Sequence, residues 1–515
     1  MKMKKGLLFT VMILSTLVFG FAQSSSPRPL TVEIFDREVY GGRTPADNNA
    51  WTDWIKQEVL RELNIDITFV PVSRWNETRD IVNMMSFATA PDLCYTYNRD
   101  LMSLFRGRRS FLDLAPFIDS HLPDLKRLLG EDPALPGREF IYRNADPQTG
   151  SIYSISGYSV SLAQRNIFIR KDWLDKLGLP LPTNIQEFYN ALVAFRDLDP
   201  GGVGKNMVVP FGQNSDARWG LANLIHNFIN PNLSDRDRWV NYVYERYLMM
   251  PGYKEGVRLM NQWYNERLIY QNFTRMTSFD NFHNLLKSGV VGAFCQNWDV
   301  PYRTDYRINE ELAMNIPGAE FVPIDIVQNK DMMDKATGLQ IFIPSFSKNH
   351  IAALEYLNWL AKPENYHFLQ VGQEGVNHQL RDGVPNIIAR PPGDPWYQNS
   401  AQNVDYTMPM NGVEMGNPEL NARVLAFNYS NTPPDIIVKA YMISTRNARA
   451  APVYQAVTTV NQYAPILQDK ADQLLAQAIT GDPRDFDRIW DAGIQDWLAS
   501  GGQEVLNERA SLYPP

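Results

Sequence analysis

The sequence predicts an α/β fold with more helix than strand. Three observations carry this: alternation in LTVEIFD (30–36), helical spacing of Trp51, Trp54, Ile55, Val59, Leu60 and Leu63, and a second strand-like run, IDITFVPV (65–72). Strand, helix, strand at this spacing is a βαβ unit, which implies a parallel sheet covered by helices.

The remaining elements follow in order. The polar run TPADNN puts Asn48 or Asn49 near the N-cap of the first helix. APDLCYTY (90–97) reads as a third strand, and FLDLAPFIDSHLPDLKRLL as loop and helix. SIYSISGYSVSLAQRNIFIRKDWLDKLGL holds one or two strands running into a helix. In LPTNIQEFYNALVAFRDLDP, Thr183 stands as N-cap with Glu187 close to the third helical position, the pattern of a capping box. NFHNLLKSGVVGAFCQNWD is a helix, a glycine turn and a strand, and TGLQIFIPSF opens a strand followed by helices. The tail from NQYAPILQ is helical to about Leu506, and the chain has no internal repeat or heptad array.

The chain has 515 residues, 44% hydrophobic and 21% charged, enough for two or three domains with proper cores. Its formal net charge of −8 argues against nucleic acid or an anionic membrane surface as partner. The 12 Trp and 24 Tyr supply flat faces that suit sugar rings, although a Trp in a folded domain is more often core. MKMKK followed by GLLFTVMILSTLVFGF reads as a signal peptide, residues 1–22, with cleavage expected before Gln23 and a polar linker over 23–29. No cysteine stands where a lipoprotein would be acylated, so the sequence predicts a soluble periplasmic or secreted protein. Export would permit a disulfide between Cys94 and Cys295, but their apolar, strand-like surroundings favour buried free thiols.

Four segments in order resemble bacterial extracellular solute-binding proteins of ABC importers, in particular the sugar-binding family that includes maltose-binding protein. They are WTDWIKQEVLRELNIDITFVPV, YSISGYSVSLAQRNIFIRKDWLDKLGLPLPTNIQEFYNALVAFRDLDP (153–200), KSGVVGAFCQNWD (287–299) and LEYLNWLAKPENYHFLQVGQEGVNH (354–378). The resemblance implies a two-lobed periplasmic-binding-protein fold of type II. Each lobe would be a mainly parallel sheet flanked by helices, with a helical C-terminal region. Lobe 1 would comprise 30–160 plus 322–390, and lobe 2 161–321 plus 391–515, with crossings near Ser159–Gln164 and Phe321–Ile326. The implied role is carbohydrate binding in the inter-lobe cleft, closure by a hinge, and delivery to membrane permease subunits, by a monomer with no cofactor. A glycoside hydrolase and a ligand-binding sensor partner of a membrane receptor are the alternatives.

A sugar site needs aromatic faces for the apolar side of a pyranose, and amides and carboxylates for its hydroxyls. Trp298 with Asn297 and Asp299, at a strand end, is the leading cluster, and the family places a ligand-stacking Trp at this loop. Asn49 and Trp51 sit at a helix N-terminus, though Trp51 shares an apolar stripe with Trp54. Tyr97 ends the third strand, Tyr158 precedes the first crossing, Trp219 follows the polar loop GQNSDAR, and Glu374 lies between glycines in GQEG.

Enzyme signatures are weak. The six histidines include no i, i+4 pair, no H-E-x-x-H occurs, and SGYSVS lacks the spacing of a G-x-S-x-G elbow. DLDPGGVGK (197–205) fails as a phosphate loop, because Asp199 and Asn206 stand where Gly and Ser/Thr are required. The resembled family often carries a D-x-D-x-D-G calcium loop here. This chain keeps Asp197 and Asp199 but loses the third acidic position to Pro-Gly-Gly, so the run reads as a helix-ending turn without a tight metal site.

Overall fold

The computed structural model describes residues 26–36, 44–74, 76–98, 110–132, 137–146, 149–160, 165–243, 247–303, 306–328, 330–333, 337–388, 390–391, 393–397, 404–426, 429, 432–450 and 458–512. The signal-peptide reading and most of the first crossing lie outside them.

β1 (Arg28–Asp36) and β2 (Ile65–Ser73) pair in parallel from Arg28 opposite Ile65 to Asp36 opposite Ser73, joined by α1 (Ala50–Leu63). The βαβ reading therefore holds. α1 starts where it does because Asn49 accepts from the Trp51 and Thr52 N–H groups at 3.0 and 3.1 Å, while the Thr52 hydroxyl accepts from the Asn49 N–H at 3.0 Å. It stops at Asn64, whose φ of 53° is left-handed. After α2 (Glu77–Ser86), β3 is only Cys94–Thr96, shorter than the expected 90–97. Pro91 cannot donate to a ladder, and the Asp92 carboxylate takes the Thr31 N–H at 3.0 Å instead.

The later strands are β4 (Ile155–Ser159), β5 (Arg165–Arg170), β6 (Val209–Gly212), β7 (Val291–Asn297), β8 (Phe321–Ile324), β9 (Lys330–Met333), β10 (Thr337–Phe342), the hairpin β11 (His378–Arg381) and β12 (Val384–Ile387), β13 (Met410–Asn411) and β14 (Ala448–Ala450). One four-stranded sheet runs β13-β4-β10-β3 and continues towards β1 through a parallel bridge between Val32 and Leu93; the other runs β6-β7-β5-β8. Parallel pairing holds for β1–β2, β6–β7 and β13–β4, while β10 is antiparallel to β3 and β4, and β5 to β7 and β8. β5 and β10 run against their neighbours because the chain enters each sheet at the edge where those neighbours end.

The first core packs β1, β2, β4 and β10 against α1 and α3 (His350–Leu360), around Val32, Trp51, Ile55, Ile155, Ile341 and Trp359. In the second sheet alternation divides the cores: Ile167, Ile169, Ala293 and Cys295 face one, and Phe168 and Phe294 the other. The C-terminal helices α4 (Thr458–Thr480), α5 (Phe486–Trp497) and α6 (Gln503–Leu512) pack on the first of these through Leu467, Ala471, Trp490, Trp497 and Val505. Helix thus extends to Leu512, with breaks at Gly481 and at Gly501, whose φ is 111°. Contrary to the expected division at 391, Tyr406 and Met408 belong to the first core and β13 to its sheet. Tyr406 stacks on Trp51 at 6.4 Å and its hydroxyl accepts from Asn49, contacts between distant positions that a linear reading does not reveal.

One smaller expectation also changes. The cap of the helix at Ile185–Leu198 is Asn184, which accepts from the Glu187 N–H at 2.9 Å; the Glu187 carboxylate reaches back to the Thr183 N–H and hydroxyl at 2.8 and 2.9 Å. The expectation of buried thiols holds: Cys94 and Cys295 are both buried and form no disulfide.

Candidate functional site

The sheet registers decide which loops can share a ligand. In the first lobe, Ser73, Thr96 and Ser159 end β2, β3 and β4, and the antiparallel β10 brings Thr337 opposite Tyr158 at the same edge. In the second, Gly212 and Asn297 end the parallel β6 and β7, Arg165 opens β5 opposite Asn297, and Ile324 ends β8. The chain passes from Ser159 on one edge to Arg165 on the other, so the strand ends of the two lobes are joined across the division. Ligands of α/β sheets sit outside such carboxyl ends.

The first-lobe edge presents Tyr97 and Tyr158, both half-buried. The Tyr97 ring stacks on Phe35 at 5.9 Å and lies beneath the Arg74 guanidinium at 4.4 Å. Tyr158 meets Phe140 edge-on at 5.2 Å, and burial raises its hydroxyl pKa. The second-lobe edge presents Trp219, Asn297 and Trp298. Trp219 lies in a one-turn helix whose cap, Asp216, accepts its N–H at 3.0 Å; the Arg165 guanidinium stands 4.2 Å from its ring. Trp298 is half-buried, held edge-on by Tyr429 and Tyr441 at 6.0 and 5.3 Å. Asp299 accepts from the Tyr429 hydroxyl at 2.9 Å and so braces this aromatic group. The Asn297 Oδ1 is buried without a hydrogen-bond partner.

Three expected residues lie elsewhere. Asn49 is 6% exposed, and its amide donates to the Pro45 and Ala46 carbonyls and the Tyr406 hydroxyl at 2.8, 3.1 and 3.0 Å, so both ends of the side chain are occupied. Trp51 is fully buried against Trp396, Phe368 and Tyr406. A cap and a core residue look alike in sequence to a ligand pair at a helix start. Glu374 is exposed at the foot of the β11–β12 hairpin, where its residue bridges His378. The sequence reading passed over Arg165, Gln213 and Asn214, all buried at the second-lobe edge. A signal existed for the first: Arg165 is a charge just ahead of the apolar run IFI (167–169).

The DLDPGGVGK turn spends its carboxylates internally. Asp199, at φ 47°, accepts from the Val203 and Gly204 N–H groups at 3.0 and 2.8 Å, and Asp197 pairs with Arg196 at 2.7 Å. Among the described residues no group of three or more His, Cys, Asp or Glu could hold a metal.

The molecule has the architecture of a two-lobed extracellular solute-binding protein. No family model matches the chain. It is similar to Lipoprotein LipO of Bacillus subtilis (strain 168), 24% identical with 96% of this chain and 94% of that protein covered. It is also similar to the polygalacturonan/rhamnogalacturonan-binding protein YtcQ of the same organism, 22% identical over 62% of each. Among solved structures, an HMO-binding ABC-transporter-associated solute-binding protein from Bifidobacterium longum infantis superposes with a TM-score of 0.61 at 18% identity, covering 95% of this chain and 99% of that one. The resemblance to solute-binding proteins of ABC importers therefore holds in sequence and in fold. One expectation is corrected. A periplasmic or secreted protein without a lipid anchor is not what the relatives indicate, because the one matched over 96% of the chain is named a lipoprotein; an extracellular location agrees with it.

Proposed function

We propose that this protein binds an oligosaccharide between its lobes, as a monomer, and delivers it to the membrane permease of an ABC importer without chemical change. The reading is supported by aromatic residues at strand ends of both lobes: Tyr97 and Tyr158 end strands of the first, and Trp219 and Trp298 follow strands of the second. Asn297 and Asp299 supply polar groups beside Trp298. Stacking suits pyranose rings, and a ligand touching both edges favours the closed state. The fold match and the relative named for polygalacturonan/rhamnogalacturonan binding support this reading. We place the lobe division after β4 and after β8, with the chain leaving the first lobe again after β13.

The test is a panel of mono- and oligosaccharides read by calorimetry and thermal shift. A true ligand at about 100 times its dissociation constant adds about 2.7 kcal/mol of stability. Trp298→Ala and Trp219→Ala are expected to weaken it at least about tenfold, a loss of roughly 1.4 kcal/mol. If no saccharide shifts the transition while a glycoside is cleaved, the molecule is an enzyme and the reading fails.

A further inference from the structure

Five arginines are buried among the described residues: Arg143, Arg165, Arg170, Arg238 and Arg509. A guanidinium cannot shed its charge, so burial is tolerated where a carboxylate or several carbonyls face it. Arg143 and Arg170 each turn the Nε–Nη2 edge towards a carboxylate, Asp132 and Asp172 respectively. Arg238 donates to the carbonyls of Leu233, Asn230 and Pro231, and Arg509 twice to that of Trp239.

Arg165 is different. It is 6% exposed, its Nη1 donates to the Trp219 carbonyl at 3.2 Å, and its Nε is buried without a partner. The Nε that its two counterparts spend on aspartate has no partner here. The carboxylates of the same strand edge each have a partner other than Arg165, although the Asp325 Oδ1 is buried without one. Asp216 takes the Trp219 N–H and faces Arg218 at 3.5 Å, Asp299 takes the Tyr429 hydroxyl, and Asp325 pairs with Arg446 at 2.8 Å. Opposite Arg165 across the β5–β7 ladder stands Asn297, whose Oδ1 is also buried and unpartnered. An unpartnered guanidinium Nε and an unpartnered amide oxygen thus occupy facing positions of the ladder, with the Trp219 ring against the guanidinium.

We infer that Arg165 receives a carboxylate of the ligand, so that the saccharide contains uronic acid units; the inference rests on the carbohydrate-binding reading above. The side-on guanidinium edge presents two parallel N–H groups at the spacing of two carboxylate oxygens, which neutral hydroxyls match singly. Trp219 supplies the stacking face beside it, and Asn297 a partner for an adjacent hydroxyl.

The experiment is calorimetric titration of the whole chain with trimers of galacturonate and of mannuronate, and with their methyl esters, for the wild type, R165Q and R165K. At least one acidic trimer is expected to bind, with its ester roughly 100-fold weaker. R165Q should weaken the acid by a similar factor and leave the ester unchanged. R165K, which keeps charge but not the fork, should fall between. If the wild type binds acid and ester alike, or only neutral saccharides, the uronate inference is overturned and the carbohydrate reading stands. If R165Q weakens acid and ester equally, the inference is likewise overturned. Should neither trimer nor any neutral saccharide bind, both readings fall. The wild-type acid-against-ester comparison decides the matter even where R165Q does not fold.

Discussion

Asn49→Ala separates a structural role from a ligand-binding one. The substitution removes the acceptor for the Trp51 and Thr52 N–H groups, a cap worth about 1 kcal/mol. It also strips a donor from the Pro45 and Ala46 carbonyls and from the buried Tyr406 hydroxyl, adding about 1–3 kcal/mol. The expected destabilisation of the first lobe is therefore about 2–4 kcal/mol. Asn49→Ser restores the cap acceptor alone and should recover about 1 kcal/mol of it. Because two lobes need not unfold together, hydrogen exchange of the α1 amides is the suitable readout, alongside the urea midpoint followed by Trp fluorescence. Saccharide affinity should stay within about twofold, since the side chain faces the interior. An Asn49→Ala protein with unaltered α1 protection and affinity lost more than about tenfold would refute this account.

Other predictions follow from buried charge and from the 197–205 turn. Asp132→Ala leaves the Arg143 guanidinium buried and unpaired and should cost about 3–5 kcal/mol, whereas the double change Asp132→Leu with Arg143→Met should cost far less; equal losses would show that the pair is not the cause. Burial, with the Glu77 charge adding, raises the Glu33 carboxyl pKa well above the carboxylate range. Above the ordinary value the unfolded chain releases this proton and the folded one keeps it, so stability falls by up to about 1.4 kcal/mol per pH unit until the folded group ionises. Glu33→Gln should flatten that slope in denaturation curves taken from pH 4 to 8, and an unchanged slope would assign it to another group. His226 works in the opposite direction: burial, aided by the Arg165 charge, lowers its pKa, so stability is present near neutrality and declines as pH falls below the ordinary imidazole value. His226→Phe should remove that acid-side decline. For the turn, Asp199→Ala should cost about 1 kcal/mol through the two freed N–H groups, while calcium and chelator both leave the melting temperature unchanged; a calcium-dependent shift would mean that the carboxylates are available after all.

Much of the fold was legible because it rests on local periodicity. The β1–α1–β2 unit follows from alternation at 30–36, a stripe from Trp51 to Leu63 and a second alternating run. Capping was legible too, to within one residue at Asn184. Aromatic strand ends at Tyr97, Tyr158 and Trp298 were found because they close apolar runs. The same logic misfired at Asn49 and Trp51, where a helix start is both a good anion site and a place that needs a cap and a core anchor. Arg165 was missed because its meaning lies in what fails to surround it.

Class, lobed organisation and the binding-protein resemblance were thus carried by the sequence alone, since hydrophobic period and motif order are linear properties. Which residues answer to a ligand was decided only by tertiary structure. Whether a polar group is satisfied depends on neighbours far away in the chain, such as Tyr406 for Asn49, Tyr429 for Asp299, and the absent carboxylate for Arg165. Burial turns that difference in partners into free energy, and burial exists only once the chain has folded.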